Sequence, residues 1–418
     1  MSTERTIFMI SDIPLTKESL APYREQILDR IRSQHIRTFP GHEGRLFLIS
    51  TQYPGYWLEH TFDALAWAQL YPEDVDIARS QIGLFLEHQR EDGQLPCFIL
   101  DRSLRDIVAR EPVGYSHLQE CVSFASLCYE TWQMDPHADL GGYYDSCCRW
   151  DAWLCRNRMT RGLGLVEMFC GFDSGHDNSG RLWGMKYPGG PCTDPQATPP
   201  GYPLGCPAAP IIAPDINAVF YGSRMALSRM ADALGRPAEA AQWRQKAEEV
   251  SRRLLGICFD EEDCFFYDVD KHDQKIRVKS ISITTLFAEH LLEPAMADAI
   301  YDRHLANPQE FATPYPFPAV AINDPTWIQN LPGNSWGYYS QGLVALRTLR
   351  WMEHYGREAE MESMMRTWLS AWCRPGILRF GQELHPLTGE PSSCSEWYSS
   401  CMLYILHAMR RLGLDTSC

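Results

Sequence analysis

No stretch of this 418-residue chain approaches the ~20 consecutive apolar residues that a membrane span requires. Basic residues are outnumbered, 38 Lys and Arg against 53 Asp and Glu, for a net charge of −15. That balance argues against a nucleic-acid backbone or an anionic membrane surface as the main partner. The first residues, MSTERTIFMISDIPLT, place acids where a secretory leader has a basic and then an apolar run. The expectation is a soluble, cytoplasmic protein. The 15 cysteines form no CxxC pair, and Cys121, Cys128, Cys155 and Cys401 fall in apolar helical patterns. Neither a disulfide framework nor a metal site is expected. There is no phosphate-binding glycine loop, dinucleotide fingerprint, G-x-S-x-G or H-E-x-x-H, so no cofactor is expected and serine-hydrolase chemistry is unsupported.

Aromatic residues are plentiful: 13 Trp, 19 Tyr and 17 Phe. A large core accounts for most of them. Others fall in Gly/Pro/Ser-rich segments, among them Tyr53, Trp57, Trp183, Trp327 and Trp336. Aromatic rings on loops suit the apolar faces of sugars, so a small carbohydrate is the expected partner.

Helical periodicity dominates the rest. Apolar residues recur at helical spacing over 20–35, 59–70, 74–90, 117–133, 138–158, 214–234, 237–256, 282–304, 336–355, 358–373 and 395–412. The links between them are alternately short and long, the long ones being 91–115, 160–213 and 374–394. CFFYDVD (264–270) and QKIRVKSISI (274–283) suggest one short hairpin. Nothing in composition splits the chain, so the expectation is one all-α domain over 1–418, with 1–40 as a helical lead-in. About a dozen helices in antiparallel hairpins, with the long loops at one end, fit an (α/α)6 barrel. A helical solenoid would show a fixed repeat, and none is found.

Five blocks in register carry a resemblance. They are YWLEHTFDALAWAQ with FLEHQREDGQLPCFI (56–99), FDSGHDNSGR (172–181), the 213–270 segment beginning APDINAVFYG, FATPYPFPAVAINDPTW (311–327), and PGNSWGYYSQGL with LHPLTGEP (332–343, 384–391). From about residue 50 onward the chain resembles the six-hairpin glycosidases of glycoside hydrolase family 63. These include mannosylglycerate and glucosylglycerate hydrolases, with trehalases more distant. The resemblance implies an (α/α)6 barrel that inverts α-glycosidic bonds. The family's acid, the second aspartate of an SGxDN loop, corresponds to Asp177. Its base is a glutamate just before the P-x-T-G turn.

Inverting hydrolysis needs one protonated and one ionised carboxyl on opposite faces of the sugar, ~6.5–9.5 Å apart. Asp177 is the expected acid. Asp173 would raise its pKa or hold a hydroxyl, and His176 and Asn178 would line the same loop. The base is open: the family position, four before the proline, holds Gln382, so Glu383 is the first choice and Glu396 the second. A lost base is the third option, leaving a sugar-binding barrel; a sugar isomerase on the same scaffold is another. Trp57, Trp183, Trp336 and Trp397 would frame the sugar, and Glu59 would replace a substrate-binding aspartate. Asp215 and Asn217 would bind hydroxyls, although Asp215 serves equally well as a helix cap. The family arginine of R-G-P-x-W becomes Pro332, which favours a neutral glycoside over an anionic one.

Overall fold

The computed structural model describes residues 14–104, 111–176, 179, 181, 209–327, 336–377 and 379–415. Twelve α-helices appear among them: α1 (Lys17–Arg30), α2 (Thr61–Leu70), α3 (Val75–Glu87), α4 (Phe124–Met134), α5 (Leu140–Asn157), α6 (Pro214–Ala233), α7 (Pro237–Cys258), α8 (Thr284–Ala288), α9 (Pro294–Ile300), α10 (Gly342–Arg347), α11 (Glu358–Trp372) and α12 (Ser399–Arg411). Even-numbered helices form an inner ring: α4 packs on α2 and α6, α6 on α8, and α12 on α10 and α2. Odd-numbered helices wrap it, with α3 on α2, α7 on α6 and α11 on α12. This is an (α/α)6 barrel.

Sequence composition follows the two rings. Nearly every residue of α2 and α12 is buried, whereas α7 buries one stripe: Ala240, Trp243, Ala247, Val250, Leu254 and Cys258. One continuous hydrophobic core runs from Leu20 to Met409. Trp67, Trp351, Trp368 and Trp372 belong to it. No helix among the described residues is long and apolar enough to cross a membrane.

Three helical patterns end differently from their periodicity. The 282–304 run breaks into α8 and α9, because His290 takes a left-handed φ of +54° and Pro294 opens α9. The 336–355 run yields only α10 and a 3-10 turn, since Ser340 and Gln341 pair as a strand with Leu384 and Glu383. Residues 117–123 are not helical. Side chains take backbone donors there, Asp173 from Leu118 N and Glu289 from Ser123 N, and Glu120 accepts from Phe124 N at the start of α4. The 264–283 hairpin forms only in part, by pairing of Asp268–Val269 with Lys275–Ile276. Phe265–Phe266 pairs instead with Phe259–Asp260.

Candidate active site

A cavity of about 680 Å³ opens where the inner helices begin. Its walls come from the segments that lead into α2, α4, α10 and α12, so several helix N-termini point toward one space. A three-stranded sheet, 55–57 with 98–100 and 113–114, builds one side. It presents Trp57, whose ring meets Tyr53 edge-on at 5.8 Å and Phe98 at 6.0 Å. Across the space stands Trp336, with His176 stacked on it at 4.0 Å. Tyr398 lines the wall at the start of α12.

Glu59 is a largely covered carboxylate on this wall, its side chain 10% exposed. It sits in the single 3-10 turn Leu58–His60 that precedes α2. Gln119 Nε2 donates to its Oε1 at 3.0 Å, His60 Nε2 lies 3.4 Å from the same oxygen, and the Cys121 thiol faces Oε2 at 3.4 Å. Burial opposes its charge, but His60, Arg347 and Gln119 outweigh burial and hold its pKa below the ordinary value. Burial likewise opposes the charge on His60. Asp63 at 3.2 Å and Glu59 prevail and raise its pKa to about 9. Ser400 donates to Asp63 Oδ2 at 2.9 Å, and Ser399 also bonds it. A chain Glu59–His60–Asp63 thus backs the cavity.

A second chain meets it. His117 lines the wall, with Nε2 at 2.5 Å from Gln119 Oε1 and Nδ1 at 3.0 Å from Ser116 Oγ. Gln119 bridges His117 to Glu59 from a left-handed backbone, φ +50°. Burial disfavours charge on His117, but the Cys97 sulfur 3.6 Å from Nδ1 and the Gln119 bond carry its pKa to about 9.

The GFDSGH stretch forms a 3-10 turn, Gly171–Ser174, that ends at Gly175 with φ +69°. Gly175 lines the cavity. Asp177, Asn178 and Trp183 lie outside the described residues. Asp173 is fully buried and corrects the expectation placed on it. Its oxygens accept from Leu118 N, Phe169 N and Cys170 N and pair with Arg158 Nη1 at 2.9 Å. With Arg158 beside it and three backbone donors on its oxygens, it anchors the loop.

The other expected residues divide. Trp57, Glu59 and Trp336 line the cavity, and His176 backs Trp336. Asp215 instead receives both Arg181 Nη groups at 2.9 Å, and Asn217 Oδ1 accepts from Val166 N at 2.8 Å while its Nδ2 donates to Val166 O and Ala213 O at 2.9 Å. Both are used up inside the fold. Glu396 pairs with Arg379, and Trp397 packs on Phe380 under the Arg30 guanidinium. Neither lines the cavity.

Glu383 lies one side chain behind the wall. Gln382 is the lining residue. Tyr53 Oη donates to Gln382 Oε1 at 3.2 Å, Gln382 Nε2 reaches Gln341 Oε1 at 3.5 Å, and Gln341 Nε2 donates to Glu383 Oε1 at 2.9 Å. Sequence reasoning passed over His60, Arg90, Tyr398 and Arg347. Single polar residues near helix ends carry no spacing signal, and only the fold gathers them.

Residues 53–400 match the family model of the mannosylglycerate hydrolase MGH1-like glycoside hydrolase domain. The chain belongs to this family. It is a glycoside hydrolase of the family 63 type. Among solved structures it is similar to the mannosylglycerate hydrolase of Thermus thermophilus, at 19% identity and a TM-score of 0.72, covering 92% of this chain and 98% of that one. It is also similar to the neutral trehalase of Saccharomyces cerevisiae, at 10% identity and a TM-score of 0.67, covering 90% and 76%. A stretch of 146 residues is 23% identical to an uncharacterized protein of Borreliella burgdorferi, spanning 34% of this chain and 30% of that protein's length.

Proposed function

We propose that this glycoside hydrolase is an inverting, exo-acting enzyme for a small neutral α-glycoside or short oligosaccharide, glucoside-like in its sugar. One observation carries the reading: aromatic faces and a largely covered, ionised carboxylate meet in a single cavity at the helix starts. Its volume falls within the ~300–1,000 Å³ of small-ligand sites. Trp57, Phe98 and Trp336 offer apolar faces to a pyranose ring, and Glu59, His117 and Gln382 offer hydrogen bonds to its hydroxyls.

The wall's cations are already engaged, which supports a neutral substrate. Arg90 Nη1 donates to Gln94 Oε1 at 2.9 Å, and the Arg90 Cζ lies 3.9 Å from the Tyr115 ring centre. His117 is held between Ser116, Cys97 and Gln119. The Thermus thermophilus relative has been solved with glucose, and with Tris and D-glycerate. A glucose-sized ring is the first candidate here.

In this reading Asp177 protonates the leaving oxygen while an ionised carboxylate takes a proton from the attacking water. Proton NMR of fresh digests of α-glucosides, α-mannosides and trehalose tests it. The β-anomer is expected first; initial release of the α-anomer would refute inversion. Asp177→Asn is expected to lower kcat by about 10²–10⁴-fold at unchanged Tm. Near-normal turnover in that variant removes Asp177 from the role.

A further inference from the structure

We propose that Glu59 is the general base of this hydrolysis, held ionised by His60 and by the buried guanidinium of Arg347. The assignment rests on the hydrolase reading above and goes beyond it by naming the carboxylate that activates water.

Two carboxylates stand on the cavity wall among the described residues, Glu59 and Glu111. Glu111 is exposed to solvent. The wall position in the QELHP stretch is the amide of Gln382, which cannot take a proton from water near neutral pH. Glu383 is fully buried, is not among the residues lining the cavity, and has its Oε1 held by Gln341. Glu59 is on the wall and largely covered, its side chain 10% exposed, and its two oxygens differ. Oε1 is bound by Gln119 and His60, whereas among the described residues Oε2 meets the Cys121 thiol and packs against Gly175, where an added Cβ would clash with it. Glycine at 175 is what lets Oε2 and the Cys121 thiol pack against that backbone.

Arg347 supplies the second half of the inference. It lies in the last turn of α10, 7% exposed, and its Nη2 is buried without an acceptor among the described residues. Such a buried, charged donor is costly unless negative charge stands near it. Its charge acts on Glu59, His176, Cys121 and Tyr398, and of these only Glu59 is anionic. Arg347 is therefore a positioning residue: it acts through Glu59.

In the step, the water oxygen bonds to the anomeric carbon and one water proton passes to Glu59. The glycosidic bond breaks toward the leaving oxygen, which takes the proton of Asp177. Exchange with solvent then resets both carboxyls.

Azide rescue tests the assignment. Glu59→Ala and Glu59→Gln are expected to lose about 10²–10⁴-fold in kcat while keeping a cooperative melt. Azide, which needs no base, should restore turnover in Glu59→Ala and yield the β-glycosyl azide by NMR. Arg347→Met should move the acid limb of kcat/KM to higher pH. Rescue of Glu383→Ala but not of Glu59→Ala, or wild-type kcat in Glu59→Gln, overturns the proposal and leaves the hydrolase reading standing. Wild-type protein that releases no sugar from any α-glycoside overturns both.

Discussion

At the scale of single residues, equal chemistry hides unequal duty. Asp173 and Asp177 are four positions apart in one polar stretch, yet Asp173 is wholly buried with Arg158 and three backbone donors. Removing one partner of a buried ion pair leaves an uncompensated charge. Asp173→Ala is expected to cost about 3–5 kcal/mol of stability, read as a lower urea midpoint at unchanged slope. That loss, set beside an inactive but stable Asp177→Asn, would separate the anchor from the acid. Asp177 was legible as an acid candidate because its neighbours match a motif. The anchoring duty of Asp173 was not legible, since its partners come from residues 118, 158, 169 and 170 and are assembled only by the fold.

At the scale of elements, the site depends on what fastens loops to the starts of inner helices. Asn217, in the first turn of α6, locks both backbone groups of Val166 and the carbonyl of Ala213. Asn217→Leu orphans buried groups worth roughly 1–3 kcal/mol each. Faster hydrogen exchange is expected at the Val166 amide and along the 166–176 segment, with α7 unaffected; uniform exchange changes would contradict a local lock. Helix packing is similarly specific. Gly222 on α6 lies against Glu289, and a Cβ there would stand 1.9 Å from Oε2. Gly222→Ala is expected to destabilise by about 1–3 kcal/mol through overpacking, measurable as a fall in Tm. Helical periodicity located these helices, but it extended α4 back to residue 117. The local pattern could not register that Asp173 and Glu289 capture backbone donors of that stretch.

For the whole molecule, buried titratable groups set the pH range of stability. His60 has its folded pKa raised to about 9 by Asp63 and Glu59 against the opposing effect of burial. Its contribution is fully present below the unfolded value of ~6.5 and is lost as pH rises through about 9. Burial acts on His35 and His407 in the other direction, lowering both to about 4. Their contribution is present above pH ~6.5 and is lost as pH falls through about 4. Glu120 and Glu289, raised by burial to about 7, favour the protonated form and lose their contribution as pH rises from ~4.5 through about 7. On the alkaline side the signs agree, so Tm is expected to decline steadily between pH 7 and 9. Asp63→Asn should flatten that decline; an unchanged slope would show that His60 is not its source.

Sequence alone determined the architecture and the family. Helical periodicity, short turns and five blocks in register survive any detail of packing, because each depends on local spacing. What only the tertiary structure decided is which carboxylate stands on the cavity wall. In QELHP a single residue separates Gln382 from Glu383, and pairing of residues 383–384 with 340–341 sets which of them the wall presents. Glu59 departs from the family's aspartate in its own block, and it reaches the cavity because the turn before α2 closes against Gln119, Cys121 and Gly175 from distant segments. Side-chain direction in a closed ring is fixed by neighbours far away in sequence, and those contacts are not written in the local order of residues.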